Sequence, residues 1–157
     1  MTFETDIFAQ FDKKWALLTA GAPDDFNMMT ISWGSMGTLW GRPVVTVYVR
    51  TGRHTFPYME KGDTFTVSFY PEEQRKCLAV LGTMSGREMD KMHDSGLTPV
   101  EADGCVTFDE AQTTLVCKKL FSQLLPKERI PEQIVEECYS DDAEHVMFIG
   151  EVTRIIR

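Results

Sequence analysis

Residues 64–70, Thr-Phe-Thr-Val-Ser-Phe-Tyr, alternate without a break. Phe65, Val67 and Phe69 fall on one side, and Thr64, Thr66, Ser68 and Tyr70 on the other. A period of two belongs to a strand and not to a helix. Pro43-Val-Val-Thr-Val-Tyr-Val49 is the clearest strand in the chain, because β-branched and aromatic residues suit a pleated, half-buried surface. Further strands are read at 15–20, 27–33, 113–121 and 146–156, with Gly21 to Asp25 as a hairpin-like turn. Pro71 opens a helix that runs to about Leu81 and stops at Gly82, and residues 131–138 suit a short helix. The strands are not separated by regular helices, which disfavours a doubly wound sheet. The fold class that follows is mainly β with short helices (α+β), built as an antiparallel barrel.

At 157 residues the chain has the size of one domain, and it can bury a core without disulfides. No Gly/Ser run, Pro-rich stretch or repeat marks a boundary, so residues 1–157 are read as a single domain. The net charge is −8. An acidic chain is poorly suited to nucleic acid or to an anionic membrane, and neither is expected as a partner. The first fifteen residues carry charges and lack an apolar run, so no secretory signal is read there. Four cysteines without a CxxC spacing fit free thiols in a reducing, cytoplasmic setting. Cys77 and Cys117 are read as small core residues, and the methionines, Met84, Met89 and Met92 among them, as core or pocket fillers. Glu72, Glu73, Glu136 and Glu137 are read as solvated helix faces. The three histidines are widely spaced, and no metal site is expected. No GxSxG elbow occurs, so a hydrolase triad is not indicated.

The strongest functional signal is an absence. Residues 26–59 contain no Asp and no Glu, although a window of that length should hold roughly five. Arg42, Arg50, Arg53 and His54 lie in the same window. Two buried strands would exclude acids, but they would not retain three arginines. The turn Arg50-Thr-Gly-Arg-His-Thr55 follows the best strand directly. Its guanidiniums are forked donors suited to phosphate oxygens, and Gly52 lets successive amides converge on an anion. Thr55 suits the cap of a short helix from Phe56 to about Lys61, whose free amides would face the same anion. The plainer reading is a polar turn with solvated arginines. A second segment is Asn27-Met-Met-Thr-Ile-Ser-Trp33, which holds the only asparagine of the chain. Thr30 and Ser32 share a strand face and can hydrogen-bond the rim of a flat heterocycle, while Trp33 can wall its face. The plainer reading is a polar outer face beside a core tryptophan. His145 is read as a strand-start residue satisfied by backbone, with a proton donor as the alternative. Between Met92 and Val106 no residue is assigned a chemical role.

These two segments together resemble the flavin reductase-like family, which includes the flavoredoxins. The pattern is an N-x-M-T-x-S/A-W strand followed by a strand ending in R-x-x-R/T-x-T. Phe65-Thr-Val-Ser68, Ser85-Gly-Arg-Glu-Met-Asp-Lys91 and His145-Val-Met-Phe-Ile-Gly-Glu-Val152 resemble further segments of that family. The resemblance implies an FMN-binding split β-barrel and a homodimer with two flavins near the subunit interface. It implies that Met29, Thr30, Ser32 and Trp33 line the isoalloxazine and that Arg50, Arg53, His54 and Thr55 hold the ribityl phosphate. Ser68 would approach from the neighbouring strand, and Ser85 and Lys91 would lie near the flavin or its access channel. His54 is open between stacking on flavin, donating to phosphate and solvent exposure. The implied activity is an oxidoreductase that passes electrons from NADH or NADPH through FMN to a flavin, a metal or a protein. No side chain need act as catalytic acid or base. No GxGxxG is present, so the nicotinamide would stack on the flavin in an open cleft. Two other readings stand beside it. One is a flavoredoxin-like FMN electron carrier, reduced by a redox protein partner and lacking a nicotinamide site. The other is a barrel for another phosphorylated ligand.

Overall fold

The computed structural model describes residues 1–85 and 90–157. In chain order the elements begin with α1 (Ile7–Asp12), β1 (Ala16–Ala22), β2 (Asp25–Ile31), β3 (Gly34–Leu39) and β4 (Arg42–Arg50). There follow α2 (Phe56–Lys61), β5 (Thr64–Phe69), α3 (Arg75–Thr83), α4 (Lys91–Ser95), β6 (Pro99–Ala102) and β7 (Cys105–Phe108). The chain closes with β8 (Thr113–Leu124), α5 (Glu132–Cys138) and β9 (His145–Ile156).

Seven strands form one antiparallel sheet in the order β2-β1-β5-β8-β9-β4-β3, and β6 and β7 form a separate hairpin. The outermost strands, β2 and β3, are joined by only Ser32 and Trp33. That short link folds the two edges of the sheet towards each other, although no ladder joins them. The result is a mostly antiparallel, incompletely closed barrel, as the sequence pattern implies. Its interior draws on six strands: Leu18, Met29, Val47, Phe65, Leu115 and Phe148 belong to one buried cluster. Gly150 on β9 makes room for Phe65, since a Cβ there would stand 2.5 Å from the ring.

The outer face of β1, β2 and β5 is covered too. Leu17, Met28 and Tyr70 pack beneath Leu78 and Leu81 of α3 and beneath Val106 and Phe108 of β7. Both faces of β5 are therefore buried, and its hydroxyl face is satisfied internally. Thr66 donates to the Val106 carbonyl, and Ser68, Thr107 and Thr114 form a buried hydroxyl cluster.

Several elements differ from the sequence reading. The first hairpin turns at Pro23-Asp24, because β1 runs through Ala22 and β2 starts at Asp25. Gly21 (φ 113°) makes this possible; a Cβ there would meet the Asp25 carbonyl oxygen at 2.4 Å. The strand read to Trp33 ends at Ile31, which leaves Ser32 and Trp33 in the link. Gly82 does not stop the helix. It lies inside α3, where the missing side chain admits Thr30 of β2, 3.2 Å from where a Cβ would be. α1, β3, α4 and the β6–β7 hairpin have no counterpart in the sequence reading. The turns at Trp40-Gly41 and Asp103-Gly104 hold both central residues at positive φ, as two-residue hairpins require. Glu72, Glu73, Glu136 and Glu137 are exposed, and Cys77 and Cys117 lie within α3 and β8. Among the described residues no helix is long and apolar enough to cross a membrane. The reading of Met89 lies outside the described residues.

Candidate functional site

The edge of β2 faces β4 and β9 across the opening in the sheet. Met29, Thr30, Ile31, Ser32 and Trp33 form one wall of a cleft of about 160 Å³, and Tyr48 and His145 form the other. Ser32, Trp33 and Tyr48 also border a larger cleft of about 620 Å³ that continues beneath α1, past Phe8, Phe11 and Lys13. Together the two offer room of the size that small-molecule sites occupy. Trp33 is 45% exposed, with its ring 5.2 Å from that of His145. Met29 points its side chain into the barrel core, so what it offers the cleft is backbone. β2 is an edge strand, which leaves alternate peptide groups without a strand partner.

His145 opens β9. Its Nδ1 lies 2.7 Å from the Tyr139 hydroxyl, so a side chain and not backbone satisfies that nitrogen. Burial pushes the imidazole down to about 4; Arg50 adds to this, and Asp141 opposes it weakly. At neutral pH the ring is uncharged. It can offer one N–H, but not the proton of an imidazolium.

Arg50 and Arg53 do not converge on one anion. Arg50 turns towards the end of α5 and the segment after it, where it binds the Cys138 carbonyl at 2.6 Å and the Asp141 carboxylate at 3.0 Å. Arg53 turns towards the end of α3 and donates through Nη1 to the Gly82 carbonyl at 3.1 Å. Its Nη2 is buried with no partner among the described residues. Burial, with Arg50 second, lowers the Arg53 guanidinium from its ordinary value.

Lys91 joins Arg53 at the end of α3. Only 5% of it is exposed, and Nζ donates to the Met28 carbonyl at 2.6 Å and reaches the Leu81 carbonyl at 3.5 Å. Burial first, and Arg53 second, bring the ammonium down to about 8. Thr30 completes this corner, with its hydroxyl donating to the Leu78 carbonyl at 2.5 Å. Two cations thus meet carbonyl oxygens of β2 and of the α3 C-terminus, the end of a helix that favours positive charge. Among the described residues neither forms an ion pair with a carboxylate.

The remaining expected residues are placed otherwise. Thr55 is buried and accepts from Asn27 Nδ2 at 2.7 Å, and it makes no side-chain cap to α2. This bond ties the turn to β2 and gives the single asparagine its role. With six residues, α2 is too short to supply an anion site of its own. His54 lines a different cleft, of about 540 Å³, with Asp25, Tyr58 and Lys61; its Nδ1 is buried without a partner among the described residues. Ser68 is fully buried in the hydroxyl cluster, two strands in from the β2 edge, and does not reach the cleft. Ser85 is half-buried just beyond α3. Residues 86–89, which complete the Ser85–Lys91 motif, lie outside the described residues. Arg42 pairs with Glu151 at 2.9 Å and ties β4 to its neighbour β9.

The structure also adds Tyr48 and Tyr139. A signal for Tyr48 is present in the sequence. Thr46, Tyr48 and Arg50 share the less buried face of β4, opposite Val45, Val47 and Val49. No comparable pattern singles out Tyr139.

Comparison with known proteins bears on this arrangement. The flavin reductase like domain matches residues 8–157. No curated protein matches the chain in sequence. Flavoredoxin from Methanosarcina acetivorans superposes with a TM-score of 0.72 at 20% identity, over 91% of this chain and 67% of that one. An FMN-binding protein from Thermus thermophilus with bound p-hydroxybenzaldehyde gives 0.71 at 18%, over 100% of this chain and 78% of that one. A homologue of nitrilotriacetate monooxygenase component B from Mycobacterium thermoresistibile gives 0.70 at 17%, over 95% and 71%. At these identities the superpositions speak for the fold, and the match over nearly the whole chain speaks for the family. The matched region takes in every strand of the open antiparallel sheet, and this chain belongs to the flavin reductase-like domain family.

Proposed function

We propose that this chain binds FMN in the cleft beside β2 and acts as an oxidoreductase. NADH or NADPH is the donor in this reading, and a second flavin, a metal ion or a protein is the acceptor. Bound FMN would supply the electron chemistry: it takes up a hydride and passes electrons on. The protein's part is to hold and orient. Arg53 and Lys91 would hold the phosphate, because both are desolvated cations without a carboxylate partner among the described residues. Ser32 and the free edge of β2, the backbone of Thr30 included, would meet the polar rim of the ring. Trp33 and Tyr48 would exclude water from it. No charged side chain lines the smaller cleft, which suits a neutral ring system.

One observation carries this reading. Arg53 Nη2 is a buried guanidinium nitrogen with no partner among the described residues, on the acid-free turn, beside a second buried cation. A buried donor left unmade is costly, and an anionic oxygen would satisfy it. The same reading includes a homodimer and, where the acceptor is a protein, docking through an acidic surface.

The test is an anaerobic visible spectrum of the purified protein with FMN, before and after NADH or NADPH. Flavin bands that stay with the protein and bleach with a nicotinamide support the proposal. Bands that stay with the protein but persist would refute the nicotinamide step and favour an electron carrier reduced by a protein. No retained flavin would overturn FMN as the ligand.

A further inference from the structure

The cleft wall opposite β2 is set by His145, and His145 is set by Tyr139. The Tyr139 hydroxyl and His145 Nδ1 lie 2.7 Å apart, and the two rings meet edge to face at 5.2 Å. Either atom of this bond can hold the proton, and the choice decides what Nε2 offers. If Nδ1 carries the proton, Nε2 is an acceptor; if the phenol donates, Nε2 carries the N–H.

The surroundings of Tyr139 decide between them. Arg50 lies 5.5 Å from the centre of its ring, and the Lys127 ammonium 5.6 Å. Two cations against one phenol draw electron density from its oxygen, which makes it a better donor and a poorer acceptor. Burial meanwhile raises the phenol above its ordinary value, so it keeps its proton at neutral pH. The clamp is held in place from outside: Arg50 is fixed by Asp141 and Cys138, and Lys127 donates to the Asp141 carbonyl at 3.0 Å.

We infer that Tyr139 is a positioning residue whose O–H donates to His145 Nδ1 and fixes the imidazole as its Nε2–H tautomer, giving the cleft a neutral donor for a carbonyl oxygen of a planar ligand. The ligand class follows from the other groups in the cleft. Ser32 and Tyr48 contribute hydroxyls, the Thr30 hydroxyl is spent on Leu78, and Arg50 is occupied elsewhere. A neutral donor among hydroxyls matches a ring carbonyl better than a carboxylate, which would be desolvated without a counter-charge. The ligand part rests on the proposed function; the tautomer does not.

The test begins with the protein free of flavin. Nitrogen-15 labelling of histidine reports the tautomer of each of the three imidazoles, and His145→Gln identifies the signal of His145. The expected result is an unprotonated Nδ1 and a protonated Nε2, with Tyr139→Phe relaxing the ring to a mixture of tautomers. Tyr139→Phe keeps the ring and its cations, and the unsubstituted protein is decisive even if the variant is unstable. An Nδ1–H ring in the unsubstituted protein, or a tautomer unmoved by Tyr139→Phe, would overturn the inference. FMN affinity, read by flavin fluorescence, is expected to fall about twofold in Tyr139→Phe, because an even mixture halves the binding-competent tautomer. Unchanged affinity alongside a changed tautomer would overturn the role given to the Nε2 proton. Failure of the unsubstituted protein to bind FMN would count against the proposed function and the ligand class drawn from it, while the tautomer result would stand by itself.

Discussion

Arg50 and Arg53 leave one turn and meet opposite surroundings. Arg50 finds a carboxylate, a carbonyl and an aromatic ring near the surface. Arg53 finds one carbonyl, a second buried cation and, among the described residues, no partner for Nη2. The first arrangement is a clasp: it joins the end of β4 to the segment after α5, and charge is balanced within it. The second has no carboxylate among the described residues, which is why the proposed function gives it the phosphate. Two arginines three residues apart therefore serve different ends, and the difference lies in their partners, not in their residue type.

The sharpest way to break this contrast is to remove each guanidinium in turn. Arg53→Ala is expected to weaken FMN binding about a hundredfold, which corresponds to ~2.7 kcal/mol and is the scale of a hydrogen bond to an ionised group. Its melting temperature should stay within about two degrees of the parent, since the substitution removes an unsatisfied buried donor as well as a bond to Gly82. Fluorescence titration and a thermal melt check both. A collapsed melting temperature with unchanged affinity would turn Arg53 into a helix cap and nothing more.

Lys91→Met should weaken FMN about tenfold, because the aliphatic part is retained and one of two cations is lost. The pH dependence has a definite sign. The folded ammonium is brought down to about 8 by burial and by Arg53, from an ordinary value of 10.5. The free protein therefore loses this charge as pH rises through about 8, and FMN affinity should fall over that range. Stability moves the other way. The unfolded chain binds the proton more tightly, so the cost of burying the ammonium is present below about 8 and is relieved between there and 10.5. Titrations from pH 7 to 9 on the parent and on Lys91→Met separate the two, because the variant should lose both slopes.

Arg50→Ala is expected to cost about 1–2 kcal/mol of stability through the lost Cys138 and Tyr139 contacts, with FMN affinity within about threefold of the parent. Denaturant unfolding and fluorescence titration check it. An affinity loss as large as that of Arg53→Ala would erase the contrast between the two arginines.

The two arginines also mark what could be read from sequence. β2, β4 and β5 were legible because alternation and β-branching act locally, on residues next to one another. β3 was not, since Gly34, Ser35, Gly37 and Thr38 offer almost no apolar face, and its hairpin turns on Trp40-Gly41. Gly82 reads as a helix stop by composition and is instead a packing glycine, a role visible only with Thr30 beside it. In the candidate site, residues 27–33 and the cation Arg53 both lie in the acid-free window. The window could not say that Arg50 already has a partner, since Asp141 lies 91 residues further on. Ser68 shows the opposite limit. Its place in the alternation is as read, but the face it shares is sealed beneath β7, so a hydroxyl that resemblance assigns to flavin is spent on Thr107 and Thr114.

The smallest expected effect dissects the clasp itself. Asp141→Asn removes the carboxylate from Arg50 and leaves the Cys138 carbonyl, the Tyr139 ring and the Lys127 bond to the Asp141 backbone untouched. The Asp141 side chain is 62% exposed, so water and salt screen the pair, and exposed pairs contribute about 0.5 kcal/mol or less. Denaturant unfolding should therefore place the variant within that margin of the parent, with FMN affinity unchanged. His145 should be displaced slightly further below its ordinary value, because Asp141 is the group that opposes the depression caused by burial and Arg50. A loss as large as that of Arg50→Ala would mean that charge and not the carbonyl bond holds Arg50, and the clasp would then weaken with added salt as well.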